Sequence, residues 1–101
     1  MNGVIGMLNT DRQNALVALC QELIRQRSYS GEEDKVANSM VSAFKDMRFD
    51  DWFVDDYGSV VGHIKGNKPG KSILLDGHID TVPVPDTSSW QRDPFGGELV
   101  D

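Results

Sequence analysis

Residues 73–98, ILLDGHIDTVPVPDTSSWQRDPFGGE, decide how the fold of this chain is interpreted. Three aliphatic residues lead directly into Asp76, His78 and Asp80, and a proline-rich loop follows them. A continuous aliphatic run is typical of a strand in the middle of a sheet. Because the burial of charge costs free energy, a buried strand that ends in three polar groups indicates a site that uses them.

His78 and Asp80 are two residues apart, so in an extended strand their side chains lie on the same face. A carboxylate in that position accepts a hydrogen bond from one imidazole nitrogen and leaves the other nitrogen with a lone pair. The arrangement is typical of a metal-bound histidine, and it also occurs where an acid orients a histidine that acts as a general base. The spacing alone leaves both interpretations open.

The composition predicts one small globular domain and limits the classes of partner. The 101 residues include 16 acidic and 10 basic side chains, for a formal net charge of −6. Nucleic acids and anionic membranes bind basic surfaces, so neither is expected as a partner. No apolar run approaches the span of a bilayer, and the opening MNGVIGMLN lacks the basic leader and apolar block of a secretion signal. Since the single cysteine, Cys20, cannot form an internal disulfide, a cytoplasmic location is expected.

Two helices are predicted in the first half of the chain. The first begins with Thr10 as its N-cap and runs to about Arg27. Its apolar stripe consists of Leu16, Leu19, Cys20, Leu23 and Ile24, so Cys20 is predicted to be a buried small hydrophobe. The second helix follows Ser30, which opens an S-x-x-E capping box, and it runs to about Met47. Its apolar face consists of Val36, Met40, Phe44 and Met47.

Strands are predicted in the part of the chain that follows. DWFVDD at 51–56 and SVVGHIKG at 59–66 predict a hairpin whose turn contains Tyr57-Gly58-Ser59. A third strand, from Lys71 to about Ile79, is predicted to be the most buried because of its unbroken aliphatic run. The order helix, helix, strand, strand, strand, loop predicts an α/β fold, and it leaves the second face of the sheet uncovered.

The loop after the third strand is too apolar for a plain linker. Its apolar and glycine residues are Trp90, Pro94, Phe95, Gly96 and Gly97. We expect this loop to pack as a lid over the sheet edge, in preference to a role in contacting substrate.

Two motifs, LLDGHIDTVPV at 74–84 and W..DPFGGE at 90–98, resemble the first catalytic motif of the M20 family of co-catalytic zinc metallopeptidases and deacylases. The likeness extends back through SYSGEE at 28–33, DDYGSVVGHIKG at 55–66 and the two helices. The family includes acetylornithine deacetylase, succinyl-diaminopimelate desuccinylase, carboxypeptidase G and aminoacylase, and GHIDTVPVP is most similar to its selenium-metabolism-linked hydrolase subgroup. The resemblance implies that residues 1–101 are the N-terminal part of a zinc-peptidase-like catalytic domain, with no second domain.

The resemblance also implies the chemistry of the site. His78 corresponds to a ligand of one zinc, and Asp80 corresponds to the acid that orients His78 beside the catalytic centre. In the family two zinc ions, for which cobalt or manganese can substitute, activate a water molecule that attacks an amide carbonyl. The expected substrate is a small peptide or an N-acyl amino acid, and the complete parent enzyme is expected to be a homodimer. The other ligands and the glutamate base have no counterpart here, and neither Asp76 nor Asp101 matches one.

Two functional hypotheses follow from these observations. In the first, the chain is part of an M20-type amidohydrolase and is inactive by itself. In the second, it is a non-catalytic α/β interaction module derived from that fold. Coding sequence beyond residue 101 that continues into a glycine-rich segment with an aspartate, and then into a Glu-Glu pair, would support the first hypothesis.

Overall fold

The computed structural model describes residues 8–100, which form two compact units. Of the described residues, one unit contains 8–26 together with 84–100, and the other is Arg27–Pro83. Residues 1–7, in the segment where no secretion signal is predicted, and Asp101 lie outside the described residues. Within residues 8–100, no helix combines the length and the apolar character that crossing a membrane would require.

The first helix, α1, is Thr10–Arg25. Its N-cap is Asn9, whose side-chain oxygen accepts a hydrogen bond from the Arg12 N–H at 2.9 Å. The prediction of Thr10 as N-cap is therefore wrong by one residue. Asn9 has the extended backbone of an N-cap residue, which places its side chain beside the N–H groups of the first turn. The helix ends two residues before Arg27, where Gln26 becomes extended.

The apolar stripe of α1 is not buried, although the helix itself is confirmed. No residue of α1 is buried, and Leu16 and Ile24 are 38% and 48% exposed. Cys20 is exposed as well, so the prediction that it is a buried hydrophobe is wrong. Helical spacing shows which residues share a face, but burial requires a second element against that face.

The loop that follows residue 84 packs against the last turns of α1. It contains a short 3-10 helix, Thr87–Ser89, and then a tight segment in which the Gly96 carbonyl accepts a hydrogen bond from Arg25 Nε at 3.0 Å. Gly97 has a positive φ of 67°, and a Cβ there would lie 3.0 Å from the Gln21 carbonyl oxygen. This loop is therefore held on α1, while its role as a lid over the sheet edge stays a prediction.

The second unit is built from a helix and a hairpin. Helix α2, Asp34–Asp46, packs against both strands of an antiparallel pair, β1 (Asp51–Val54) and β2 (Val60–His63). The register places Trp52 opposite Gly62, and the hairpin is confirmed. The core of the described chain is small, since Val36 and Ala37 of α2 are its buried hydrophobic residues. The observed fold is thus a small α/β arrangement of two helices and a two-stranded sheet.

The predicted capping box at the start of α2 does not form. The N-cap position is Glu33, which makes no side-chain capping hydrogen bond. Its carboxylate instead accepts from the Gly31 N–H at 2.9 Å, and the Ser30 hydroxyl donates to Asp80. The prediction of Ser30 as N-cap is wrong because a carboxylate distant in sequence takes up the hydroxyl that the local motif would use.

The third strand, Lys71 to Ile79, does not form either. The described sheet consists of β1 and β2, and residues 71–80 adopt no regular secondary structure. Their aliphatic run is the most exposed apolar segment of the unit, with Ile73, Leu74 and Leu75 at 87%, 86% and 90%. A strand exists only with a neighbour to accept and donate its hydrogen bonds, and no described strand pairs with this segment. The prediction of a buried central strand is therefore wrong for the chain as it stands.

Candidate functional site

His78 and Asp80 contact each other, as their spacing predicts, although the segment that carries them is not a strand. His78 Nδ1 lies 3.1 Å from Asp80 Oδ1 and 2.9 Å from the Asp80 carbonyl oxygen. The His78 side chain is 85% exposed and that of Asp80 is 40% exposed. The pair is therefore accessible from solvent, with the carboxylate the more enclosed partner.

The surroundings of His78 Nδ1 define the tautomer of the neutral ring. Both Asp80 atoms near Nδ1 are oxygens, and an ionised carboxylate and a carbonyl can only accept hydrogen bonds. Nδ1 is therefore the protonated nitrogen, and Nε2 carries the lone pair. A histidine that binds a metal through Nε2 has this arrangement, with an acid holding the other nitrogen.

Asp80 is held by a second side chain through its other oxygen. The Ser30 hydroxyl donates to Asp80 Oδ2 at 2.6 Å, a short bond of the kind that ionised acceptors make. This hydrogen bond is the largest influence on the carboxyl; burial opposes it, and the neighbouring His78 acts in the same direction as Ser30. Together they lower the pKa of Asp80 below its ordinary value of 3.8, so the group is ionised at neutral pH.

The backbone on either side of the site connects two distant segments. The Thr81 N–H donates to the Ser28 carbonyl at 2.7 Å, and Tyr29 and Thr81 form a parallel bridge. Ser28 is 1% exposed, and its hydroxyl lies 3.4 Å from the Thr81 hydroxyl. The residues before α2 are thereby aligned with those after His78, which brings Ser30 next to Asp80.

Three further points concern the predicted site: a cluster of metal ligands, the position of Asp76 and the contact of Ser30. Among residues 8–100, no group of three or more histidine, cysteine, aspartate or glutamate side chains is placed to hold a metal ion. Asp76, which the sequence analysis left without a role, is exposed. Sequence reasoning missed the contact of Ser30 with Asp80, because the S-x-x-E pattern predicted a helix cap. The only signal that bears on it is the likeness of SYSGEE at 28–33 to the same family, and that likeness gave the segment no role.

Comparison with known proteins gives relatives over most of the chain. It is 34% identical over 87 residues to a succinyl-diaminopimelate desuccinylase of Cereibacter sphaeroides, which covers 84% of this chain and 23% of that protein. It is 31% identical over 97 residues to a succinyl-diaminopimelate desuccinylase of Methylocella silvestris, covering 89% of this chain and 24% of that protein. It is also 29% identical over 91 residues to the uncharacterized protein YgeY of Escherichia coli K12, covering 90% of this chain and 22% of YgeY. No family profile matches the chain, and no solved structure matches it significantly.

These matches confirm the resemblance to the M20 family that the motifs indicate. The chain is similar in sequence to succinyl-diaminopimelate desuccinylases, and it spans about a quarter of the length of the curated relatives that it matches.

Proposed function

We propose that this chain carries the first zinc ligand of an M20-type amidohydrolase, with His78 binding through Nε2 and Asp80 holding the imidazole. The observation that supports this most directly is the contact of Nδ1 with two acceptor oxygens of Asp80, at 2.9 and 3.1 Å. It leaves Nε2 as a lone-pair donor on a ring that is 85% exposed. The names of the two desuccinylase relatives favour hydrolysis of an N-succinyl amide, within the wider class of peptide and N-acyl amino acid substrates.

The two residues would have different tasks in that reaction. When bound, a pair of zinc ions, or cobalt or manganese in their place, supplies Lewis acidity and lowers the pKa of the attacking water. His78 provides a neutral imidazole nitrogen for one ion. Asp80 keeps the proton on Nδ1, fixes the direction of the ring and, through its negative charge, makes the ligand nitrogen more basic.

The described residues supply too few ligands for this chemistry. A catalytic zinc has about three protein ligands and an open position for water, whereas the described residues place no third donor beside His78 and Asp80. The matched relatives are about four times as long as the part they share with this chain. We therefore place the remaining ligands and the general base in sequence that these 101 residues do not contain.

The first prediction concerns the 101-residue chain. After dialysis it should hold no stoichiometric zinc and should hydrolyse no N-succinyl amino acid or dipeptide, because one imidazole in water binds zinc weakly. Metal analysis by mass spectrometry, run beside an amide-hydrolysis assay, measures both quantities. Tightly held zinc, or turnover that a chelator abolishes, would contradict it and would mean that copies of the chain complete the site together.

The second prediction concerns a longer protein that contains this segment and a full site. His78→Ala should remove one metal and nearly all activity, while Asp80→Asn should keep most of the metal and lower activity about 10–100-fold, since the ring loses its charged partner. His63→Ala is the matched control, because His63 is also exposed and lies in β2. Normal zinc content and turnover in His78→Ala would end the metal assignment of His78.

A further inference from the structure

The hydroxyl of Ser30 binds the oxygen of Asp80 that His78 does not use. We propose that Ser30 is a positioning residue for the His78–Asp80 pair, acting through Asp80 on the direction and tautomer of the imidazole. The proposal rests on the proposed function, because it assigns a further residue to the same site.

The geometry of the carboxylate carries the proposal. His78 Nδ1 meets Oδ1 at 3.1 Å, and Ser30 Oγ meets Oδ2 at 2.6 Å. A planar carboxylate held at one oxygen can still turn about its Cβ–Cγ bond, and one held at both oxygens cannot turn without breaking a bond. Since the Ser30 bond is the shorter of the two, it sets the plane of the carboxylate that His78 meets.

The position of Ser30 is itself fixed by the backbone. Ser28 is 1% exposed and accepts from the Thr81 N–H at 2.7 Å, and Tyr29 pairs with Thr81 in a parallel bridge. Ser30 directly follows Tyr29 of this bridge in the sequence, and Asp80 directly precedes Thr81 of the same bridge. This alignment explains why two residues 50 apart in sequence form a side-chain bond on an exposed surface.

The need for such support follows from exposure. The Asp80 side chain is 40% exposed, and the His78 ring is 85% exposed, so water competes for both groups. His78 and Asp80 are separated in the sequence by Ile79, and the segment that carries them has no regular secondary structure. A pair carried by an irregular segment lacks the rigid backbone that a strand would give it, and a second bond to the acid restricts its orientations.

The experiment reads the tautomer of His78 directly in the 101-residue chain. Long-range 15N–1H correlation spectra are recorded at successively higher pH until the His78 shifts no longer change, so that the neutral ring is observed. The wild-type chain should show mainly protonated Nδ1 at His78. Ser30→Ala should raise the fraction protonated at Nε2 by about twofold or more, and Ser30→Thr, which keeps the hydroxyl, should restore the wild-type spectrum. His63 in the same spectra is the internal control and should not change.

Two further variants separate the hydroxyl from the backbone. Ser28→Ala removes the hydroxyl that faces Thr81 and leaves Ser30 in place, so it should not alter the His78 tautomer. Ser30→Cys nearly keeps the size of the side chain and weakens the hydrogen-bond donor, so it should change the His78 tautomer as Ser30→Ala does. It tests the proposal even if Ser30→Ala fails to fold.

Three outcomes would overturn the proposal: an unchanged His78 spectrum in Ser30→Ala or Ser30→Cys, an equal change in Ser28→Ala, or a failure of Ser30→Thr to restore it. The metal role of His78 is scored separately, by the zinc content of His78→Ala in the longer protein that contains a full site. Ser30-dependent tautomers together with normal zinc content in that variant would uphold the positioning and refute the metal role.

Discussion

Gly62 lies in β2 at the point where two phenyl rings approach the backbone. A Cβ built on it would come within 2.8 Å of Phe49 Cδ2 and 2.9 Å of Phe44 Cε1 and Cζ. The two rings also contact each other, with centroids 4.5 Å apart. Glycine at this position therefore allows α2 and the residue that follows its C-terminal turn to pack on the hairpin.

Gly62→Ala should lower the free energy of unfolding by about 1–3 kcal/mol, because one methyl group displaces two packed rings. Urea unfolding followed by tryptophan fluorescence measures it, since Trp52, one of the two tryptophans, lies opposite Gly62. Gly70→Ala is the matched control: a Cβ there meets nothing within 4 Å, so the midpoint should stay where it is. Equal midpoints for Gly62→Ala and wild type would show that α2 does not pack on β2 in this way.

The 3-10 helix at Thr87–Ser89 is an element that begins with a charged cap. Asp86 Oδ1 accepts from the Ser88 N–H at 3.0 Å and from the Ser88 hydroxyl, and Oδ2 accepts from the Ser89 hydroxyl at 3.2 Å. The hydrogen bond from the Ser88 side chain is the main cause of a lowered pKa at Asp86, followed by the bond from the Ser88 backbone. The cap therefore favours the ionised carboxylate over the protonated acid.

The pH dependence of this element follows from the direction of that shift. Because the folded pKa of Asp86 lies below its ordinary 3.8, the stabilisation is complete above that value and is lost as pH falls through the folded pKa. A 13C carboxyl titration should place the Asp86 midpoint below 3.8. Ser88→Ala should move it upward, and Ser88→Thr, which keeps the hydroxyl, should not. An Asp86 midpoint that stays unchanged in Ser88→Ala would assign the lowered pKa to the Ser88 backbone bond and the Ser89 hydroxyl.

At the scale of the whole molecule, the sequence and the structure disagree most about residues 73–75. The aliphatic run predicts burial, yet each of these side chains is at least 86% exposed, whereas the buried hydrophobic residues among residues 8–100 are Val36 and Ala37. An apolar run that is exposed in one chain can be buried when further strands pair with it. In this chain it contributes little to the stability of the described fold.

Leu74→Asp should therefore change the free energy of unfolding of the 101-residue chain by no more than about 0.5 kcal/mol, as an exposed substitution does. Val36→Ala is the comparison: it removes a buried side chain of α2 and should cost about 2 kcal/mol. Thermal unfolding by circular dichroism ranks the two variants. If Leu74→Asp costs as much as Val36→Ala, the aliphatic run is buried in solution and the predicted third strand forms there.

Local patterns in the sequence predicted the elements whose stabilising contacts are near in sequence. Helical spacing predicted both helices, and the alternating runs around Tyr57-Gly58-Ser59 predicted the hairpin, because a helix and a tight hairpin satisfy their own backbone hydrogen bonds. The His78–Asp80 contact was predictable for the same reason, since two residues span it. The motifs also carried the family resemblance, which the relatives confirm.

Tertiary structure decided what depends on partners far along the chain. The Ser30 hydroxyl binds Asp80 and not the start of α2, since the bridge between Tyr29 and Thr81 brings an ionised acceptor within 2.6 Å. Exposure of Cys20 and of residues 73–75 likewise depends on which element faces them, and periodicity contains no information about that. The physical reason is common to all three: a side chain's propensity is a local property, whereas its burial and its hydrogen-bond partner are set by chain segments that only the fold brings together.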